Sequence, residues 1–330
     1  MNRTAPDARA SSQPTGVIDT LQAGFNTLNR NVWLLILPVA IDLIIWLGPQ
    51  ISVGALTDRL LVNAAPPPGV DSTMARSLDQ LRQSSLQAVR QDGELTQYNL
   101  LKLLAVPVVG VPSFAVERPS EGTTVSVDSV GAAGAVVGAG VLVGLCVAAL
   151  FYGLLAQAVR EGRALPQRFL ADFAALWIWL LSLLALVVVI GLGIVLPVAF
   201  FASLLASTVP TISAILSTFA LAASLWAIVY LFFTTHALFV SRVPPLTAVQ
   251  RSVEVVRHNF WSTLFFIALF IVISTGLPKV WEVIADVLQV PGIVLGIVGN
   301  DYILAGLAAG SMTFYYQRVS RLTATQSDHK

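Results

Sequence analysis

The sequence is poor in charged residues, which make up 11% of its 330 positions, whereas 56% are hydrophobic. A soluble domain carries about a quarter of its residues as charges. So few charges cannot cover the apolar surface of a soluble chain of this length, and the composition is typical of a protein whose solvent is lipid. The net charge of +1 also argues against a nucleic-acid partner.

Cysteine and histidine are scarce as well. The single cysteine, Cys146, lies inside an apolar run, so neither a disulfide within the chain nor a thiolate metal cluster is expected. The three histidines are too scattered for a histidine metal site. The sequence also lacks a phosphate-binding P-loop, a GxSxG nucleophile elbow and an HExxH zinc motif. We therefore predict no cofactor and no metal, and we expect that the protein is not an enzyme.

Long apolar segments are what the sequence has instead. A helix needs about 20 apolar residues to cross the hydrocarbon core of a bilayer, and six segments qualify. We predict an all-α polytopic transmembrane helical bundle, a single membrane domain over residues 1–330. The spans are predicted at residues 32–56, 130–159, 173–201, 212–240, 260–277 and 293–316. The first is expected to be a retained anchor rather than a cleaved signal.

Basic residues lie in alternate connections between these segments. Twelve lysines and arginines lie before the first span, in the second and fourth connections and after the last span, whereas the short connections on the other side hold only Lys279. The positive-inside rule therefore predicts cytoplasmic termini in a bacterial inner membrane. The remaining connection, residues 57–129, is predicted to be an extracytoplasmic insertion with a small helical region, including an amphipathic helix near 72–91. Its apolar run 100–111 is too short to span, so it would lie in the interface or tuck into the mouth of the bundle.

Two amphipathic helices are predicted on the cytoplasmic surface, one before the first span and one over residues 245–259. The apolar stripe of the first is Ile18, Leu21, Phe25 and Leu28, and that of the second is Leu246, Val249, Val253 and Val256. The second presents a polar face that is a candidate surface for a partner or for coupling, made of Arg251, Glu254, Arg257 and His258. The junctions that follow these helices are alike, with LNRNVW at 28–33 beside VRHNFW at 256–261, and a third, shorter version is predicted at 165–171.

Two carboxylates interrupt the predicted spans. Asp42 lies within the first span and Asp301 within the sixth, both near the middle of the membrane, and Asn300 adjoins Asp301. Charged residues at that depth are costly and mark functional sites by default. They could form a proton or cation relay, line a substrate cavity, or serve as protonated or hydrogen-bonded packing residues.

Glycines recur four residues apart in the apolar segments. The pairs are Gly134 and Gly138, Gly140 and Gly144, Gly292 and Gly296, and Gly306 and Gly310. This spacing lets two helices approach closely. It predicts tight helix packing and is compatible with a homo-oligomer.

The arrangement resembles a group of bacterial six-span membrane proteins, which includes the membrane domain attached to some glycerophosphodiester phosphodiesterases. The resemblance rests on Gly24-Phe25, on residues 31–38 and on residues 251–261. It implies a membrane-embedded accessory or transport-linked role. It does not extend to the soluble phosphodiesterase domain, and it implies no catalytic residues.

Three functions are compatible with these patterns. The first is a non-enzymatic scaffold or accessory protein of a bacterial inner membrane. The second is a transporter or permease subunit, coupled through the 245–259 helix to a cytosolic ATPase, with Asp42 and Asp301 on the path. The third and weakest is an intramembrane enzyme that acts on lipids.

Overall fold

A computed structural model describes residues 16–56, 83, 98–105, 110–114 and 123–327, without the side chains of 207–208 and 323–327. The structure is 86% helical, as the all-α prediction requires. The described residues form ten α-helices, whose bounds are α1 Val17–Asn29, α2 Ile36–Leu47, α3 Val130–Glu161, α4 Pro166–Ile190, α5 Leu196–Thr208, α6 Pro210–Leu231, α7 Thr234–Val240, α8 Pro245–His258, α9 Phe260–Leu288 and α10 Val290–Ser327. The other described elements are two 3-10 helices, a π-turn and two short strands. The 3-10 helices are Val32–Leu35 and Leu100–Ala105, the π-turn is Gly191–Val195, and the strands are β1 Gln50–Ser52 and β2 Thr124–Ser126.

Five helical stretches are long and apolar enough to cross a membrane. They are Val130–Glu161, Pro166–Ala206, Pro210–Val240, Phe260–Leu288 and Val290–Leu322. A sixth crossing exists if Val17–Asn29 and Val32–Leu47, between which the chain bends by 87°, together form one span. The predicted class of a polytopic helical membrane bundle is therefore confirmed, with five spans or up to six.

The first predicted span is the one that differs most from the structure. It was expected to continue to residue 56, but α2 ends at Leu47 and the chain enters β1 at Gln50. The cause is local, because Pro49 disfavours the helical conformation in the residue before it, and Gly48 is indeed extended, with φ −68° and ψ 170°. At about 1.5 Å per residue, the 12 residues of α2 cover only about 18 Å of the bilayer.

Three other helical stretches are longer than predicted, among them α10, which was predicted at 293–316 and runs from Val290 to Ser327. The fifth span was ended near residue 277 because of Pro278, yet α9 continues through this proline to Leu288. Apolar spans tolerate a proline within the helix, and the carbonyl that Pro278 deprives of its usual backbone donor is that of Ser274, four residues earlier. The third span continues as α4, the π-turn and α5, so residues 165–171 are the beginning of α4 rather than a separate surface helix.

Contacts divide the described residues into two units. The first unit is drawn from Met1–Leu34, Tyr152–Val280 and Tyr302–Lys330, and the second from Leu35–Phe151 and Trp281–Asp301. The division falls inside α3, α9 and α10, so no linker separates the units.

In the first unit, α1 packs on α10 through glycine. A Cβ added at Gly24 would lie 2.3 Å from the backbone nitrogen of Gly310, so only glycine permits this approach. The ring of Phe25 occupies the space beside Gly306, and Leu21 lies against Gly310. The Gly306 and Gly310 pair therefore receives the apolar stripe of α1, of which Leu21 and Leu28 are buried and Ile18 is 69% exposed.

The two similar junctions of the sequence share one hydrogen bond. The side-chain amide of Asn31 donates to the carbonyl of Thr27, and that of Asn259 donates to the carbonyl of Val255, in each case four residues back. The amide of Asn31 thus satisfies a carbonyl near the end of α1, whereas the carbonyl of Val255 also accepts from the backbone N–H of Asn259. Asn31 goes further, because it also accepts from the backbone of Ala164 at 3.0 Å and so ties the end of α1 to the connection between α3 and α4.

Helix α8 packs on the break between α6 and α7. The hydroxyl of Ser252 donates to the carbonyl of Tyr230 at 2.7 Å and accepts from the N–H of Phe233 at 3.1 Å. Ser252 is fully buried. It thereby supplies partners to backbone groups at the point where the helical ladder is interrupted.

In the second unit, the described ends of the long insertion pack on α2 and α3. Strand β1 pairs in parallel with β2, Ile51 opposite Val125, an element that the sequence analysis did not predict. The side chain of Asn99 accepts from the backbone of both Ile51 and Leu101 at 3.1 Å. The 3-10 helix Leu100–Ala105 then lies on the glycine face of α3, where a Cβ at Gly144 would come within 2.6 Å of a carbonyl oxygen. The predicted helix near 72–91 falls outside the described residues apart from residue 83.

Candidate functional site

The second unit brings together the two carboxylates that interrupt the apolar helices. Asp42 projects from α2 and is 2% exposed, and Asp301 projects from α10 and is fully buried. The two carboxyl groups are close enough to interact electrostatically, yet neither oxygen of Asp301 has a hydrogen-bond partner in the described part of the chain. Two buried carboxylates that interact in this way repel each other when both are charged, so a proton on one of them lowers the cost of burying the pair.

Asp42 is held by a short segment of the insertion, residues 110–114. The hydroxyl of Ser113 donates to one carboxylate oxygen, and the backbone N–H of Phe114 donates to the other at 2.6 Å. Donors on both oxygens match the ionised form of this carboxyl group. The residues that the structure describes place no donor on either oxygen of Asp301, so of the two carboxyl groups Asp301 is the one whose charged form lacks hydrogen-bond stabilisation.

Two other residues of α9 and α10 in the second unit have buried polar atoms without a partner among the residues described. Asn300 is fully buried, and neither atom of its side-chain amide has a hydrogen-bond partner within the described part of the chain. The indole nitrogen of Trp281, whose ring lies against Gly299, is buried and unpaired there as well. Buried polar atoms are paired in the great majority of cases, so a group of exceptions calls for an explanation. These atoms offer donors and acceptors to water or to a small polar solute.

Glycines on α10 make room for the aromatic walls of this site. A Cβ at Gly299 would lie 2.5 Å from the Trp281 ring, and one at Gly296 would lie 3.1 Å from the Phe114 ring. The predicted Gly292 and Gly296 pair is thus used for packing, because Gly292 also lies against the backbone of α9. The same ring that flanks Gly296 belongs to the residue whose N–H binds Asp42, so the insertion and α10 meet at the carboxyl pair.

Sequence reasoning named Asp42, Asn300 and Asp301 but missed the donors from the insertion. Ser113 and Phe114 are separated from Asp42 by about 70 residues along the chain, and neither residue type is unusual in a loop. The only signal was the apolar run 100–111, for which a position in the mouth of the bundle was one of two alternatives. The described residues 110–114, which begin at the end of this run, lie against Asp42.

The candidate coupling surface on α8 is only partly exposed. Arg257 and His258 are exposed, whereas Arg251 and Glu254 are half-buried. The buried face of α8 is made of Ala248, Ser252, Val255 and Val256. It shares Val256 with the predicted apolar stripe, of which Val249 and Val253 are half-buried and Leu246 is 68% exposed. The helix therefore packs along one edge of the predicted stripe.

No family model, curated protein or solved structure matches this chain. The resemblance to the bacterial six-span group therefore stays a prediction. Within the described ranges there is no group of three or more histidine, cysteine, aspartate or glutamate side chains that could hold a metal ion. The buried carboxyl pair of Asp42 and Asp301 is therefore the candidate functional site of the second unit.

Proposed function

We propose that this protein is a transport-linked membrane protein in which Asp42 and Asp301 bind and release a proton. The observation that carries the proposal is the contact between these two buried carboxyl groups inside apolar helices. Ionisable residues at such depth are costly and are kept for function in known membrane proteins, commonly as proton relays. Of the functions compatible with the sequence, the permease subunit is the one that gives these residues a role.

The proton changes the charge of the pair, and the donors from the insertion respond to that charge. With the proton on Asp301, Asp42 carries one negative charge and accepts from Ser113 and Phe114. When the proton leaves, two negative charges face each other in a medium of low dielectric, which is unfavourable unless the groups separate or another cation enters. Loss of the proton therefore favours a second arrangement of α2, α10 and residues 110–114, and alternation between two such states is what transport requires.

Isosteric replacement of Asp301 tests the proposal. The protein is placed in lipid nanodiscs, and infrared difference spectra between acid and alkaline buffer are used to detect a protonated carboxyl group that is shielded from water. We expect such a band in the wild type, its loss in Asp301→Asn, and a shifted band in Asp42→Asn, because Asp301 then has an amide partner. Asp286→Asn is the matched control, since Asp286 is an exposed carboxylate of the same helix pair.

Proteoliposomes with an imposed pH gradient provide the functional readout. Wild-type protein and Asp286→Asn should dissipate the gradient faster than Asp301→Asn. The proposal fails if Asp301→Asn, recovered as a folded protein, retains both the infrared band and the wild-type rate of proton movement.

A scaffold or accessory function is the second candidate. It is favoured by the large uncovered apolar surface of two helical stretches, Pro166–Ala206 and Pro210–Val240. In the most apolar 18 residues of each, only 6% are buried inside the protein, compared with 56% in Val290–Leu322. Such a surface could be covered by partner helices as well as by lipid. A partner that co-purifies with Asp301→Asn as well as with the wild type would favour this candidate.

We also propose that α8 is the contact for a cytosolic ATPase subunit and that both termini are cytoplasmic in a bacterial inner membrane. The exposed Arg257 and His258 at the end of α8 provide a basic surface for such a partner. The orientation is supported by the positions of the arginines, since the connections that contain Arg30, Arg163 and Arg242 all belong to the first unit. Isolation of the protein with a bound nucleotide-binding subunit would support the coupling, and isolation without one after mild solubilisation would argue against it.

A further inference from the structure

Near the end of α10, the first unit contains an arginine without a counter-charge. Arg318 is 4% exposed. Its guanidinium lies 3.3 Å above the centre of the Phe314 ring, and one terminal nitrogen donates to the carbonyl of Phe314 at 3.4 Å. Its Nε is buried without a partner, and no carboxylate in the part of the chain that the structure describes forms an ion pair with it. A buried guanidinium that lacks an anion is costly, because one ring contact and one long hydrogen bond replace its hydration only in part.

A second unpaired donor lies at the same level on α9. Phe314 packs on Phe266 with the ring centres 4.7 Å apart. Thr263 lies one turn before Phe266 on α9, and Arg318 lies one turn after Phe314 on α10. Because α9 and α10 run antiparallel as a hairpin, both residues are displaced from the ring contact in the same direction. Thr263 is fully buried, and its hydroxyl has no partner among the described residues.

The surroundings add positive charge. Arg321 follows Arg318 by one turn and is close enough to repel it. Two guanidinium groups side by side are stabilised by an anion that both can reach. A phosphate group suits these donors best, since it is recognised by the planar fork of an arginine and accepts from a hydroxyl as well. The predicted position at the cytoplasmic end of the last span is where acidic lipid headgroups are found.

We propose that Arg318, with Thr263 and Arg321, forms a binding site for a phosphate group. The group is supplied by the headgroup of an anionic phospholipid or by free phosphate, and the chemistry of the site is the same for both. The site neutralises Arg318 and completes the packing between the ends of α9 and α10. It is independent of the carboxyl pair, whose residues belong to the second unit.

Thermal unfolding with defined anions tests the site. The full chain is compared in nanodiscs of phosphatidylcholine with and without phosphatidylglycerol, and in detergent with sodium phosphate or with sodium chloride of equal ionic strength. The variants are Arg318→Gln and, as a control for the loss of one charge, Arg168→Gln, because Arg168 is exposed. Native mass spectrometry of the same samples counts retained phospholipid.

We expect phosphatidylglycerol to raise the unfolding temperature of the wild type and of Arg168→Gln, and to leave that of Arg318→Gln unchanged. An equal rise with inorganic phosphate in detergent identifies free phosphate as sufficient, whereas a rise with phosphatidylglycerol alone identifies the lipid. The proposal is overturned if neither anion stabilises the wild type more than chloride does, or if Arg318→Gln keeps the full rise.

A conservative variant covers the case in which Arg318→Gln does not fold. Arg318→Lys keeps the charge but loses the two-pronged fork, and the loss of one charge-assisted hydrogen bond should weaken phosphatidylglycerol retention about tenfold. Thr263→Val, which removes only the hydroxyl, should weaken it less. Unchanged retention in Arg318→Lys would contradict recognition by the arginine.

Discussion

Replacing Gly24 by alanine tests the close contact between α1 and α10 that organises the first unit. In the structure, the added Cβ would lie 2.3 Å from the nitrogen and 2.4 Å from the Cα of Gly310, and 2.8 Å from the carbonyl carbon of Ala309. Non-bonded heavy atoms prefer separations of about 3.5 Å. The atoms to be displaced belong to the backbone of a helix, so no side-chain rotation can relieve the overlap, and α1 must move away from α10 by about 1 Å.

The cost of this displacement can be estimated from overpacking. Extra methyl groups in well-packed interiors cost about 1–3 kcal/mol. The separation also loosens the contact of Phe25 with Gly306 and that of Leu21 with Gly310, and it stretches the bond from Thr20 to Gln317, which is already 3.4 Å long. We expect a loss towards the upper end of this range and a decrease in unfolding temperature on the order of 5 °C.

The assay is thermal unfolding followed by tryptophan fluorescence, and the chain provides matched controls. Gly134 and Gly138 also lie in an apolar helix, but no described atom lies within 4 Å of a Cβ added at either position. Alanine is the better helix former, so Gly134→Ala and Gly138→Ala should unfold at or slightly above the wild-type temperature. If Gly24→Ala unfolds together with these controls, the close approach of α1 to α10 is refuted.

Two further predictions concern the break between α6 and α7 and the orientation of the spans. Ser252→Ala leaves the carbonyl of Tyr230 and the N–H of Phe233 without their buried partner, and it should lower the free energy of unfolding by about 1–3 kcal/mol. The control is Ser224→Ala, because the Ser224 hydroxyl is exposed and bonds only to its own helix. Equal losses in the two variants would contradict the bridging role of Ser252. In a Cys146→Ala background, Arg163→Cys and Thr211→Cys should react with a membrane-impermeant thiol reagent from opposite sides of sealed vesicles, and reaction from the same side would refute the predicted topology.

The candidate site was predictable only in part. Asp42, Asn300 and Asp301 could be found in the sequence because a polar residue stands out in an apolar run. The partners that define the chemistry could not, since Ser113 and Phe114 reach Asp42 from a part of the chain about 70 residues away. Nothing in their local sequence distinguishes them from residues of an ordinary loop or span.

Helix α8 illustrates a second limit. Its length and its amphipathic character follow from the order of its residues, but the face that packs was predicted only in part. Of the predicted stripe of Leu246, Val249, Val253 and Val256, only Val256 is fully buried, and the buried face also includes Ala248 and Ser252. Ser252 is buried because it bonds to backbone groups of Tyr230 and Phe233 at the α6–α7 break, a contact that the local sequence does not reveal.

The amino-acid sequence by itself determined that the solvent is lipid and that the secondary structure is helical. Apolar segments of this length are buried in lipid, and there a helix pairs all of its backbone groups internally. The sequence also determined where helices end at local signals, such as Gly48 before Pro49. Tertiary structure alone decided that Gly306 and Gly310 contact α1, that the Ser252 hydroxyl bonds to the backbone at the α6–α7 break, and that residues 110–114 reach Asp42. These outcomes depend on contacts between residues far apart in the chain, and no local pattern encodes such contacts.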